Sequence, residues 1–139
     1  MPTRNRGGFH HIDLNVNSLD ASRPVYGLVL EFLGYRMVKD DAQGCEWDLG
    51  PDDRRISVGL RVARPEYANH VHHRYAPGLH HLAWRAVSRD EVDALHRLLV
   101  ENGIPVLDAP AHYPEYSKTY YAVFFEDPDG MKLEVLHEG

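Results

Sequence analysis

The chain states one pattern twice. A strand-like His10-His11-Ile12-Asp13-Leu14 opens its first half, and His80-His81-Leu82-Ala83-Trp84 opens its second. The halves also close alike. The stretch from Trp47 to Ser57 aligns without a gap on the stretch from Phe124 to Glu134, setting Gly50-Pro51-Asp52-Asp53 against Asp127-Pro128-Asp129-Gly130. An internal duplication restricts the fold to one supersecondary unit built twice and paired with its copy. The mismatches are as informative as the matches, because Glu134 stands where the first half has Ser57.

Each half predicts the order β-α-β-β-β. From Gly8 to Val16 apolar and polar residues alternate, with Ile12, Leu14 and Val16 on one side and His11, Asp13 and Asn15 on the other. That is the period of a strand buried on one face. Val25, Leu28, Val29 and Phe32 then recur at helical spacing. Proline fits only the first turn of a helix, so Pro24 places the helix start close to Arg23, and Gly34 ends it. Tyr35 to Lys39, Gly44 to Leu49 and Arg55 to Val62 read as strands.

In the second half His80 to Val87 is a strand. Ser88 and Glu91 form a capping-box pattern, and Val92, Leu95, Leu98 and Leu99 make a buried stripe that Gly103 terminates. Pro105 to Leu107, Thr119 to Glu126 and Met131 to His137 are the remaining strands. The expected organisation is one α+β domain: a module over 8–63, a linker over 64–78 and a module over 79–139. Asp108 to Lys118 reads as an aromatic- and proline-rich loop.

Each module has one helix, which covers one sheet face. The other face must meet a sister module, a partner or a ligand. Parity puts His11, Asp13 and Asn15, then His81, Ala83 and Arg85, then Lys132, Glu134 and Leu136 on that second face. His11, His81 and Glu134 thus share one facing. Two imidazoles and a carboxylate suit Zn, Fe, Ni, Co or Mn with positions left for substrate. The chain has 10 histidines. His10 and His80 have the opposite parity and read as structural. His70, His72 and His73 read as solvated loop residues, since nothing there fixes ligand geometry.

A formal charge of −6 and the lack of a basic stripe argue against nucleic-acid binding. No apolar run approaches the roughly 20 residues that span a bilayer, and the N-terminus has no secretory pattern. Cys45 is the only cysteine, so no intrachain disulfide forms. The expectation is a soluble cytoplasmic protein.

The motifs resemble those of the vicinal oxygen chelate superfamily, which includes glyoxalase I, bleomycin-resistance proteins, fosfomycin-resistance enzymes and extradiol dioxygenases. The resemblance rests on His11 to Val16, Tyr26 with Leu33-Gly34-Tyr35, Gly78 to Ala83, and Asp127 to Glu134. It covers both halves. It implies paired βαβββ modules whose mixed sheets curl around a metal-bearing cleft, one divalent ion held by His11, His81 and Glu134, and a homodimer. It also implies a small substrate with vicinal oxygens, whose developing anion the ion stabilises as a Lewis acid.

Departures from the family narrow the chemistry. Glyoxalase I carries a fourth ligand at the position of Ser57, and serine is neither a good ligand nor a base. Extradiol dioxygenases usually place a tyrosine ten residues before the metal-binding Glu, where this chain has Phe124. Asp13 and Tyr120 are the candidates to replace the missing acid–base group. Trp47, Ser57, Arg85 and Phe124 are the candidate substrate contacts, the two rings favouring a flat ligand and Arg85 an anionic one. The competing reading is a non-catalytic protein of the bleomycin-resistance type that sequesters an aromatic drug or metabolite.

Overall fold

The computed structural model describes residues 6–139. The chain divides between His70 and Val71 into two compact units. The first contains β1 (His11–Val16), α1 (Leu19–Phe32), β2 (Arg36–Asp41), β3 (Gly44–Leu49) and β4 (Ile56–Val62). The second contains β5 (His81–Arg85), α2 (Arg89–Glu101), β6 (Val106–His112), β7 (Tyr121–Glu126) and β8 (Lys132–His137). The sheets run β1-β4-β3-β2 and β5-β8-β7-β6. In each, the first and last strands of the module pair in parallel and the other neighbours are antiparallel. Neither sheet closes into a barrel. No helix among the described residues is long and apolar enough to cross a membrane.

Alternation dictates what each helix covers. Leu14, Val16, Trp47, Val58 and Leu60 are buried in the first unit with Tyr26, Val29 and Leu30 of α1. In the second unit Trp84, Val123, Phe125, Leu133 and Val135 are buried with Val92, Leu95 and Leu99 of α2. Burying a side chain of this size contributes about 1.5–3 kcal/mol.

Both helix starts are capped as their sequences demand. The Ala21 N–H donates to Ser18 Oγ at 3.2 Å, and the Glu91 N–H donates to Ser88 Oγ at 3.1 Å. Glu91 Oε1 reaches back to accept from the Val87 N–H, also at 3.1 Å, completing a box one residue wider than usual. Helix α1 thus begins at Leu19, before the Arg23 expected from Pro24. Proline lacks the N–H that would bond the Asp20 carbonyl. Both Pro24 and Asp20 are exposed, so that carbonyl stays open to solvent. The Ser18 cap and the burial of Leu19 and Ser22 hold the extra turn in place.

Strand β6 also departs from expectation. It extends through His112, where the sequence suggested a loop from Asp108. Register shifts between Val106 and Asp108 and between Asp108 and Ala111 absorb the irregular residues, and Pro110 is tolerated because β6 is an edge strand.

The two modules are not in the same register. In the first, His11 pairs with Ser57 and Asp13 with Gly59. In the second, His81 pairs with Lys132 and Ala83 with Glu134. Matching His11 to His81 therefore matches Glu134 to Gly59; matching Ser57 to Glu134 sends His11 to Ala83. The gapless sequence alignment cannot hold in three dimensions. The hairpins show the same slip, since Ser57 faces Asp48 whereas Glu134 faces Phe124. Asp48, not Trp47, is the counterpart of Phe124 under that pairing, and the one-residue slip reverses which face Trp47 occupies.

Candidate functional site

Glu134 is the centre of the second unit's open face. It projects from β8 between Ala83 of β5 and Phe124 of β7, its register partners. Ala83 is too short to cover it, and Glu134 is nevertheless only 2% exposed. A buried carboxylate needs partners to offset its lost hydration. One is His81, whose Nε2 lies 3.2 Å from Glu134 Oε1. The other is Tyr120, whose hydroxyl donates a short hydrogen bond to Glu134 Oε2. Both oxygens are thereby fixed.

Tyr120 was a candidate to donate or accept a proton. Burial, the hydrogen bond to Glu134 and that group's negative charge push its phenol well above the usual range. It keeps its proton at ordinary pH and acts as a donor. A tyrosine hydroxyl thus reaches the carboxylate from position 120, four residues before Phe124, in the turn preceding β7.

Aromatic rings wall this group. Phe124 meets His81 edge-on at 6.4 Å between centroids and Tyr113 at 5.5 Å. Tyr116 stacks on Tyr113 at 5.8 Å and contacts Tyr120 at 5.1 Å. The Tyr113–Tyr120 connection is closed by the Tyr113 N–H bonding to the Tyr120 carbonyl and by His112 Nε2 beside the Lys118 carbonyl at 2.7 Å. Arg85 lies on the same face by register with Leu136 and forms no ion pair among the described residues.

The histidine read as structural has a specific task. His80 Nδ1 lies 2.8 Å from His81 Nδ1, the rings meeting edge-on. Two such atoms bond only if one carries the proton and the other a lone pair. With the His81 proton on Nε2 it donates to Glu134 and Nδ1 accepts from His80; with the proton on Nδ1, donated to His80, Nε2 offers a lone pair that suits an ion placed between it and Glu134. The first unit repeats the arrangement, with His10 and His11 Nδ1 atoms 2.9 Å apart. The doubled histidines were the available sequence signal; strand parity hid it, because an imidazole can rotate back toward its neighbour.

The sequence profile of the glyoxalase/bleomycin resistance protein/dioxygenase superfamily matches residues 8–135. The chain belongs to that superfamily. Among superfamily relatives, the uncharacterised protein YqjT of Bacillus subtilis (strain 168) is 36% identical over 127 residues, which cover 91% of this chain and 96% of the relative. A crystal structure from Bacillus halodurans, provisionally called a glyoxalase, superposes with a TM-score of 0.82 at 29% identity, covering 96% of this chain and 98% of that one. The lactoylglutathione lyase of Agrobacterium tumefaciens gives a TM-score of 0.64 at 21% identity, covering 94% and 93% of the two chains. That last likeness is one of fold.

Superfamily members typically hold a divalent metal, and His81 and Glu134 in the second unit are donors of suitable chemistry. An ion at about 2.0–2.2 Å from each ligand sets neighbouring donors roughly 3–3.5 Å apart. The 3.2 Å separation of His81 Nε2 and Glu134 Oε1 lies in that span. Within neither unit do three or more His, Cys, Asp or Glu side chains gather as a metal cluster among the described residues.

The first unit handles its polar face differently. Ser57 is buried, and its Oγ donates to Asp48 Oδ1 at 2.7 Å, while Arg55 Nε lies 3.6 Å from Asp48 Oδ2. The Ser57 hydroxyl proton is thereby directed at Asp48. Trp47 is 0% exposed, and its ring lies 3.5 Å from where a Cβ on Gly27 of α1 would sit. It packs on the helix side, away from the face that carries His11. Asp13 is exposed; it overhangs Gly59 and lies 3.7 Å from Arg61. A carboxylate therefore occupies the same sheet position in both units. The first unit sends it from the opening strand over a glycine, and the second sends it from the closing strand beside an alanine.

Proposed function

We propose that this superfamily member is a divalent-metal-dependent enzyme acting on a small substrate with vicinal oxygens. The observation that carries the reading is the buried Glu134 carboxylate, held by the Tyr120 hydroxyl on one oxygen and facing His81 Nε2 with the other. His81 and Glu134 are two of the ligands in this reading, and His11 is the third, supplied by the same chain or by a second copy. The bound ion, Zn, Fe, Ni, Co or Mn, would supply Lewis-acid stabilisation of negative charge on substrate oxygens.

The protein's own groups do the rest. His80, accepting from His81 Nδ1–H, would favour the tautomer whose Nε2 is free for the ion. Tyr120 restrains Glu134 to binding through a single oxygen. Phe124, with Tyr113 against its ring, shields one side of the buried Glu134 from water, which strengthens electrostatic interactions there. Tyr120 is the nearest proton donor, and Asp13 is the carboxylate candidate for a base, with Arg85 and Phe124 as substrate contacts. The chemistry is a lyase, isomerase or dioxygenase reaction.

The aromatic cluster of Tyr113, Tyr116, Tyr120 and Phe124 favours a second reading, sequestration of an aromatic drug or metabolite without catalysis. Metal analysis of untagged protein, followed by the same analysis on His81→Ala, separates the two. The enzyme reading expects near-stoichiometric metal in the parent and its loss in the variant. A metal-free parent that still binds an aromatic compound favours sequestration.

A further inference from the structure

Beside the His81–Glu134 pair the second unit carries a groove of about 300 Å³, bounded by His73, Arg74, Tyr75, Leu107, Glu126 and Lys132. Its charge runs against that of the molecule, which carries −6 overall. Arg74 and Lys132 form no ion pair among the described residues. Aromatic rings hold them instead. Lys132 Nζ stands 4.4 Å from the centre of the Phe124 ring. The Arg74 guanidinium stands 4.9 Å from the centre of the Tyr75 ring, and one of its nitrogens donates to the Tyr75 hydroxyl at 2.8 Å. A ring face orients a cation and leaves its charge unneutralised.

His73 also lines the groove. The Tyr75 N–H donates to His73 Nδ1 at 3.3 Å, so neutral His73 carries its proton on Nε2. The opposing charge is Glu126, on the same face as Lys132 and its register partner. With neutral histidines, two cations against one carboxylate leave the groove at +1.

We propose that this groove binds the oxyanion group, carboxylate or phosphate, of an anionic small substrate. The site is continuous with the candidate metal ligands. Lys132 is the register partner of His81, and it precedes Glu134 by two residues on β8, a step of about 7 Å along one sheet face. Phe124 touches both Lys132 and His81. A molecule anchored here by its anionic end would present atoms one short spacer away to His81 and Glu134. That the anion belongs to a substrate rests on the proposed metal-dependent function; that the groove binds an anion does not.

The test uses inorganic phosphate and succinate as probes, titrated into the full chain at constant ionic strength while backbone amide shifts are followed. Saturable shifts are expected at His73–Tyr75 and Gly130–Lys132, and the tighter of the two probes identifies the oxyanion preferred. The double variant Arg74→Gln/Lys132→Gln should weaken binding at least tenfold. Glu126→Gln, which removes the opposing charge, should tighten it; a change of that sign is not produced by damage to the fold. Zn²⁺ affinity, measured by calorimetry on the same variants, should hold. Unsaturable shifts, shifts matched by chloride, or binding untouched by the double variant overturn the proposal. If the probes bind as expected while the parent protein takes up no divalent ion, the groove stands and the metal-site reading falls.

Discussion

His80 and His81 share one proton between Nδ1 atoms 2.8 Å apart. Because His81 faces Glu134 through Nε2, the arrangement useful for binding an ion has His81 donating and His80 accepting. Partners of this kind typically change metal affinity by about 10–100-fold. His80→Phe should therefore weaken metal binding on that scale, while His80→Asn, which keeps an acceptor, should retain part of it. His80 is exposed, so thermal stability should move little in either variant. Calorimetric metal titration beside a melting curve checks both halves of the expectation.

Removing the Tyr120 hydroxyl exposes a different dependence. Tyr120→Phe leaves one oxygen of a carboxylate that is 2% exposed without its donor. The expected cost is about 1–3 kcal/mol, read from denaturant midpoints at neutral pH.

The same tyrosine sets an alkaline limit. Burial raises the phenols of Tyr120 and Tyr113, and the hydrogen bond to Asp93 raises that of Tyr121, each from an ordinary value of 10.0. A group whose folded value is raised gives its full stabilisation below its unfolded value and loses it as pH climbs through the folded one. The protein should lose stability progressively above about pH 10. Tyr120→Phe should flatten that decline, since one of the contributing protons is gone. An equally steep decline in the variant would mean that Tyr120 is not one of its sources.

Ser57 and Asp48 test the first unit. Ser57→Ala strips the buried Asp48 of a 2.7 Å hydrogen bond and should cost about 1–3 kcal/mol. Metal content should not change, because the hydroxyl is already committed. A stable variant with reduced metal affinity would instead make Ser57 a ligand.

Two glycines distinguish rigid from yielding crowding. A Cβ at Gly44 would overlap the Leu60 carbonyl oxygen, which is backbone; one at Gly59 would overlap the Asp13 carboxylate, the end of an exposed side chain. Overpacking costs typically about 1–3 kcal/mol. Gly44→Ala should reach or exceed that range, and Gly59→Ala should fall well below it as Asp13 swings aside. Chemical denaturation of the pair provides the comparison.

The duplication and the strand alternation were enough to read the β-α-β-β-β order, the Ser88 cap and the shared facing of His81 with Glu134. They failed where a side chain or a single residue overrules a period. Pro24 looked like a helix start, but the cap on Ser18 lies upstream of it. Trp47 looked like the counterpart of Phe124, but the first hairpin spans one residue fewer between paired positions, which reverses its parity. His80 looked structural because alternation describes where a Cβ points and not where a ring can turn. Tyr120 was visible as a candidate acid–base group, but no spacing rule says that its hydroxyl comes back onto Glu134.

The unequal registers leave the first unit one exchange away from the second. There, a histidine already precedes a position two residues along whose neighbour on the closing strand is Gly59, where the second unit has Glu134. Asp13→Ala with Gly59→Glu would move the acid from one strand to the other and rebuild the His81–Glu134 pattern around His11. Such a transplant would turn the chain's own copying history into a route to a second, engineerable ligand pair on a scaffold that already folds.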